Sequence, residues 1–120
     1  MNKIKIELEK RKGLNLLRYS GKSGSLINRF YYYESEKDDH IDKKYQAYRR
    51  LRSLGYDVLC EAIFNTGGRP DILAFRNGEW KIVEILSSEK EEKLLEKVQK
   101  YPDWIEVIKI KDYGDIGSLQ

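Results

Sequence analysis

Residues 69–86 read RPDILAFRNGEWKIVEIL, and this stretch decides the fold. Two apolar runs flank Asn77-Gly78, a dipeptide that favours the tight turn of a β-hairpin because both residues tolerate positive φ. Each run carries one acid, Asp71 in the first and Glu84 in the second. Counting outward from the turn places the two acids opposite each other on the paired strands, about 5 Å apart at Cβ. The stretch therefore predicts a hairpin that brings two carboxylates together on an otherwise apolar sheet.

Two neighbouring carboxylates in an apolar setting need a cation, a hydrogen-bond donor or a proton. A divalent ion such as Mg²⁺ or Mn²⁺, bound by carboxylates, a backbone carbonyl and water, would meet this need. Such an ion polarises a phosphoryl oxygen and lowers the pKa of a bound water. Alternatively, Arg69 or a nearby lysine neutralises the pair as a buried ion network without any chemistry. The residues alone leave both interpretations open.

Periodic apolar residues on either side of the hairpin predict the rest of the core. Residues 40–54 have helical spacing, and residues 56–64 are almost continuously apolar, as in a buried strand. A second helix is predicted up to about Lys100, and residues 104–110 alternate as a last strand. This last strand should lie parallel to the third strand after a right-handed crossover. The chain is predicted to be α/β, with a mixed central sheet flanked by helices in three layers.

The ends of the chain are predicted to be simpler. Residues 2–9 alternate between polar and apolar and predict a strand, while residues 19–29 predict a basic Gly/Ser-rich loop. We expect a single domain, in which residues 1–39 (strand, loop and aromatic segment) pack on a core of residues 40–111. The polar residues 112–120 are expected to form a loose tail.

Composition limits the class of protein. A chain of 120 residues with one cysteine forms no internal disulfide, which suits a reducing cytoplasmic interior. It has no apolar run long enough to span a membrane. Formal charge is uneven, at +6 over residues 1–60 and −3 over residues 61–120. The basic half could face a polyanion such as DNA, or it could be an ordinary solvated surface.

Residues 40–110 resemble the PD-(D/E)XK nuclease superfamily, which includes restriction endonucleases and archaeal Holliday-junction resolvases. Pro70-Asp71 stands at the PD step of that superfamily and Glu84 at its second acidic position. The resemblance implies a restriction endonuclease-like core and Mg²⁺-dependent (or Mn²⁺-dependent) hydrolysis of DNA. It also implies that Asp71, Glu84 and the backbone carbonyl of Ile85 bind the metal. An archaeal virus or plasmid would suit such a small protein.

The chain departs from this superfamily at Leu86, which stands where the motif has a lysine two residues after the second acid. The resemblance then implies that a lysine of the following helix, Lys93 or Lys97, supplies the missing charge. The alternative is a catalytically impaired nuclease-fold protein that acts as a DNA-binding or protein-interaction module. A regulatory partner protein without nucleic acid is a third possibility.

Further site residues are predicted around this core. Glu61 is expected to be either an additional metal ligand or the partner of Arg69. The resemblance implies an acid near the helix at residues 40–54, Glu36 or Asp42. His40 could transfer protons near the site, but we expect it to be exposed at the helix start. A homodimer is expected because the chain is too short to embrace a duplex alone. The expected phosphate contacts are basic side chains, namely Arg18, Lys22, Arg29, Lys43, Arg49, Arg50, Arg52 and Arg69.

Overall fold

A computed structural model of the protein describes residues 2–18, 27–86 and 91–120. Within these ranges no helix is long and apolar enough to cross a membrane. From the helix Asp38–Ser53 onward, the elements follow the predicted order of helix, three strands, helix and strand. The described residues form four helices and four strands in the order α1 (Lys3–Leu14), α2 (Asp38–Ser53), β1 (Asp57–Leu59), β2 (Ile72–Arg76), β3 (Glu79–Ile85), α3 (Glu91–Val98), β4 (Glu106–Ile110) and α4 (Tyr113–Gly117).

The four strands form one mixed sheet in the order β1-β2-β3-β4. The first three strands are antiparallel, and β4 runs parallel to β3 as predicted. The β2–β3 hairpin has the predicted register, with Phe75 opposite Trp80. Asn77 and Gly78 form the turn with φ angles of 51° and 87°. The α/β class and the hairpin register are therefore confirmed.

Helices cover both faces of the sheet. Alternate residues of a strand point to opposite faces, so the apolar side chains of β2 divide between two clusters. Ile72 and Ala74 pack in a cluster that includes residues of α2 and α4. Leu73 and Phe75 pack in a second cluster, against which side chains of α1 and α3 also lie. The result is the predicted arrangement of helix, sheet and helix.

The amino-terminal segment is the first helix, and the prediction of a strand there was wrong. The side chain of Asn2 caps α1 by accepting a hydrogen bond of 2.8 Å from the backbone N–H of Lys5. Ile4 and Leu8, which suggested an inward-facing strand, are 75% and 58% exposed. Ile6 instead packs against the second cluster. A one-in-two alternation over a short segment cannot distinguish a strand from a helix that contacts the sheet elsewhere along its length.

Helix α1 contacts the sheet where Gly13 meets Trp80. The indole N–H of Trp80 donates to the carbonyl of Glu9 at 2.9 Å. A Cβ added at Gly13 would lie 2.1 Å from the indole Cε2, and Trp80 is only 4% exposed. The indole therefore has little room to move aside, and only glycine allows this approach.

We expect Gly13→Ala to lower the free energy of unfolding by about 1–3 kcal/mol, the usual cost of overpacking, although alanine is the better helix former. Urea unfolding measures the change. Gly117→Ala in α4 is the matched control, since nothing lies within 4 Å of a Cβ there. Equal effects of the two substitutions would contradict the close contact.

Strand β1 is shorter than the predicted strand over residues 56–64. Its pairing with β2 covers only Asp57 to Leu59. On the other edge of β1, Asn28 bonds to both backbone groups of Val58, at 2.7 and 2.8 Å. Phe64 leaves the sheet and forms an isolated bridge with Leu17. Residues 56–64 are mostly buried, but they pair with two different segments: Asp57 to Leu59 with β2, and Phe64 with Leu17. They therefore do not form one strand.

The carboxyl-terminal residues are packed, and the prediction of a loose tail was wrong. Asp112 and Asp115 form a capping box that starts α4. Ile116 and Leu119 are 7% and 3% exposed in the first cluster. The guanidinium of Arg50 donates to the carbonyl of Leu119 at 3.1 Å. Two apolar residues spaced three apart were enough to anchor an otherwise polar segment.

Candidate metal centre

The hairpin brings Asp71 and Glu84 together. Asp71 lies directly before Ile72, which pairs with Val83, so the next position of the ladder faces Glu84. The carboxylate of Asp71 accepts a 2.8 Å hydrogen bond from the backbone N–H of Ile85. Glu84 is 1% exposed, and it lies close enough to Asp71 for the charge of Asp71 to raise its pKa. The two acids that the sequence placed opposite each other thus form one buried group.

Side chains from α3 and the residues after it reach Glu84. The ammonium of Lys97 lies 3.2 Å from Oε2 of Glu84. The Tyr101 hydroxyl donates to Oε1 of the same carboxylate and lies 3.2 Å from the carbonyl oxygen of Arg69. Lys93, the other predicted lysine, is exposed one turn earlier. Of the two, Lys97 is therefore the one that contacts the acid pair.

Side chains from the start of α2 reach Asp71. Nε2 of His40 lies 3.2 Å from Oε1 of Glu36 and 3.4 Å from Oδ1 of Asp71. The ammonium of Lys44, which is 1% exposed, lies 3.3 Å from the same oxygen of Glu36. The expectation that His40 is exposed was wrong, because its side chain is only 16% exposed. Residues 36, 40 and 44 are spaced one helical turn apart, a signal that could have identified this group.

We call Glu36, His40, Asp71 and Glu84 together the carboxylate centre. Donor atoms of its first three members lie within 4.8 Å of one another. Among the described residues, His40 Nε2 is a buried side-chain atom with no hydrogen-bond partner, although oxygens of Glu36 and Asp71 lie 3.2 and 3.4 Å away. An imidazole and several carboxylates are ligands that suit Mn²⁺ and related divalent ions. The residues present therefore fit a divalent cation.

The protonation states of the centre are coupled. Burial and the charge of Asp71 raise the pKa of Glu84 to about 7, although Tyr101 and Lys97 oppose this shift. Burial also acts to raise the pKa of Asp71, but its contacts with His40 and the backbone of Ile85 outweigh burial and lower it. The contact with Asp71 raises the pKa of His40 despite the opposing effect of burial. Without a cation, Asp71 is therefore ionised near neutral pH, whereas Glu84 is about half protonated.

We expect Glu84→Gln to become more stable relative to the unsubstituted protein as the pH rises. A glutamate in the unfolded chain ionises near its ordinary pKa of 4.5, whereas folded Glu84 resists ionisation up to about 7. Glu84 therefore costs stability between these values, and a glutamine does not. The gain between about pH 5 and 8 should be roughly 1–3 kcal/mol, at about 1.4 kcal/mol per pKa unit.

Urea unfolding at several pH values, without divalent ions, measures this effect. The matched control is Glu106→Gln, which removes a 64% exposed carboxylate from the same sheet. A difference between Glu84→Gln and the unsubstituted protein that does not grow with pH would show that burial does not raise the pKa of Glu84.

Two predicted acids lie away from the contacts of the centre. Asp42 accepts a hydrogen bond from the Tyr113 hydroxyl of α4. Glu61, like Glu84, is not in the group of described side chains whose donor atoms lie within 4.8 Å of one another. Glu36 and Asp42 were the two acids predicted near α2. Of these, Glu36 is the one that lies beside His40, which in turn contacts Asp71.

The predicted phosphate contacts divide into two sets. Lys22 lies outside the described residues, and Arg18, Arg29 and Arg69 are exposed. The cations of α2 have contacts within the fold: two pair with residues of α2 itself, and Arg50 reaches α4. These contacts are Lys43 with Asp39, Arg49 over the ring of Tyr45, Arg50 with the carbonyls of Gly117 and Leu119, and Arg52 with the carbonyl of Tyr56.

No protein-family model, curated protein or solved structure shows significant similarity to the chain. The chemistry of the carboxylate centre is therefore the basis on which a function can be proposed.

Proposed function

We propose that the protein is a divalent-metal-dependent DNA endonuclease, in which Asp71 and Glu84 hold the cation. The observation that carries this proposal is the register of β2 and β3, which sets Asp71 beside the buried Glu84 with its carboxylate on the backbone N–H of Ile85 and the Lys97 ammonium 3.2 Å from Glu84. Acids held so close together that the pKa of one of them is strongly raised are typical of functional sites. A hard divalent ion would let both acids ionise at once.

The fold supports the same proposal. The element order from α2 to β4 and the mixed sheet agree with the resemblance to the PD-(D/E)XK superfamily. Asp71 lies directly before β2 and Glu84 lies on β3, the two central strands of the sheet, in line with that resemblance. We therefore propose a restriction endonuclease-like fold, working as a homodimer because a chain of this size covers only one side of a duplex.

Each residue of the centre has a role in this proposal. A bound cation would polarise the scissile phosphate and lower the pKa of an attacking water. Asp71, Glu84 and the carbonyl of Ile85 hold the cation, and Glu36 with His40 completes the set. A nitrogen ligand favours Mn²⁺, with Mg²⁺ as the weaker alternative.

Lys97 takes the part of the lysine that Leu86 lacks. Leu86 is 6% exposed and belongs to the packed interior. Lys97 approaches the same carboxylate from α3, and its side chain is 34% exposed, so its charge can face a phosphate. A fixed positive charge at this position would orient the attacking water or stabilise the negative charge that develops on the phosphate.

A second candidate function has its own supporting observation. Protein groups already contact both acids, since Glu84 meets Lys97 and Tyr101 while Asp71 meets Ile85 and His40. Such a network can hold two strands and two helices together with no chemistry. In that case the protein is a nuclease-fold module that binds DNA or another protein.

Cleavage assays separate the two functions. Labelled duplex, single-stranded and branched DNA are incubated with Mn²⁺ or Mg²⁺, and with EDTA as the metal-free control. The proposal predicts internal cleavage that requires the metal and is lost in Glu84→Gln but kept in Glu106→Gln. DNA that is bound but left intact with either metal would favour the second function.

A further inference from the structure

A basic cleft opens beside the carboxylate centre. It has a volume of about 520 Å³ and lies between the turn at Gly67 and Gly68 and the helix α3. We propose that this cleft holds the phosphate backbone of the nucleic-acid strand that enters the carboxylate centre. The identity of the ligand as a nucleic acid rests on the proposed function, whereas the cleft itself is defined by its own residues.

The charge of the cleft favours a polyanion. Four of the side chains that line it are cations and one, Glu96, is an acid; the cations are Arg69, Lys93, Lys97 and Lys100. Lys97 also contacts Glu84, so it marks the place where the cleft meets the centre. The other three cations are exposed at the cleft. Cations arranged in this way bind successive phosphates of a backbone and position it without reading its sequence.

The floor of the cleft is held in place by contacts between the turn and the end of α3. The hydroxyl of Thr66 donates to the backbone carbonyl of Lys100. A Cβ added at Gly68 would lie 2.8 Å from that same carbonyl oxygen and from the ring of Tyr101, so the two segments approach as closely as glycine allows. The backbone N–H of Phe64 donates to the carbonyl of Gly68 at 2.8 Å. A fixed floor lowers the entropy lost when a strand binds.

The placement of the other cations also favours this cleft. None of the α2 cations that were predicted to contact phosphates lines this cleft. Lys93 and Lys100, which were not among the predicted phosphate contacts, flank Lys97 on the side that opens to solvent. A nucleic-acid strand that lies across Lys93 and Lys100 would reach Glu84 at the position of Lys97. Residues of α3, rather than residues of α2, would therefore determine its path.

The test is the affinity of the protein for labelled oligothymidine, measured by fluorescence anisotropy in EDTA at several salt concentrations. In the double variant Lys93→Glu/Lys100→Glu we expect the slope of log affinity against log salt to fall by about 1.4, at about 0.7 for each lost contact to a single strand. At about 0.1 M salt this corresponds to a roughly 25-fold loss of affinity.

The matched control is Lys3→Glu/Lys5→Glu, which makes the same change in net charge in the exposed first turn of α1. Acids are favourable at a helix amino terminus, so this control should fold normally. Thermal unfolding checks that both double variants keep the fold. Equal loss of affinity in the two variants, or no loss in the cleft variant, would overturn the proposal.

A competition arm tests the class of ligand. If inorganic polyphosphate displaces the labelled strand as well as unlabelled oligothymidine does at equal phosphate concentration, the assignment to nucleic acid is wrong. Weaker competition by polyphosphate supports that assignment. Because EDTA prevents metal-dependent hydrolysis, the result does not depend on catalysis. A failure to cleave DNA would sink the proposed function and leave the binding result standing.

Discussion

Replacing Lys97 with methionine is expected to slow metal-dependent cleavage of DNA by about 10²- to 10³-fold, the usual effect of removing one preorganised charge from an active site. Affinity for the divalent cation should be nearly unchanged at high pH, because Lys97 is not a ligand. Methionine keeps the apolar stem of a side chain that is 34% exposed, so the fold should tolerate the change.

The pH profile of the remaining activity gives a second readout. The charge of Lys97 lowers the pKa of Glu84, so its removal should raise that pKa further above its ordinary value. The variant should then need a higher pH than the unsubstituted protein to reach its maximal rate. A role of Lys97 in packing alone would not move the profile in this way.

Single-turnover cleavage at saturating Mn²⁺ measures both effects. Lys3→Met is the matched control, since Lys3 is exposed on α1, away from the residues that line the cleft and the carboxylate centre. Equal rates for the two variants would show that Lys97 is not the catalytic cation. Loss of metal binding in Lys97→Met at high pH would instead show that Lys97 only maintains the centre.

Replacing Asp71 with asparagine should have the largest effect, a loss of cleavage of about a thousandfold or more together with loss of metal binding. A metal ion contributes several kcal/mol of charge stabilisation in the transition state, and each 1.4 kcal/mol is about tenfold in rate. Asparagine keeps the size of aspartate and can still accept the hydrogen bond from the backbone of Ile85. The negative charge is therefore the main property that changes.

Thermal unfolding with and without Mn²⁺ reports this loss independently of cleavage. A ligand that binds only the folded state raises its stability, so Mn²⁺ should raise the Tm of the unsubstituted protein and leave that of Asp71→Asn unchanged. Asp103→Asn, at an exposed position after α3, is the control and should respond to Mn²⁺ normally. Undiminished cleavage by Asp71→Asn would rule out Asp71 as the metal ligand.

The hairpin and the meeting of its two acids could be predicted from sequence because local chemistry determines them. Asn77 and Gly78 adopt the positive φ angles that a tight turn requires, and the turn fixes the register of everything beside it. Once Phe75 faces Trp80, the geometry of the ladder decides that Asp71 faces Glu84. No contact distant in the chain is needed for this result.

Other parts of the centre could not be predicted, because contacts between distant residues decide them. Tyr101 follows α3, and its position over Glu84 depends on how that helix packs on the sheet. His40 turns inward because α2 lies against the strands that carry Asp71. The helical state of α1 could not be predicted for the same reason, since its closest contact with the sheet is that of Gly13 with Trp80, and of the alternating residues only Ile6 packs inward.

The most direct test of the central claim, that the carboxylate centre binds a divalent cation, is a calorimetric titration of the protein with Mn²⁺. We predict a saturable binding event with proton release, tighter at about pH 8 than at about pH 6, because Glu84 with a pKa of about 7 must ionise to bind metal. Asp71→Asn should show no such binding. Absence of binding at either pH, or equal binding by Asp71→Asn, would contradict the claim.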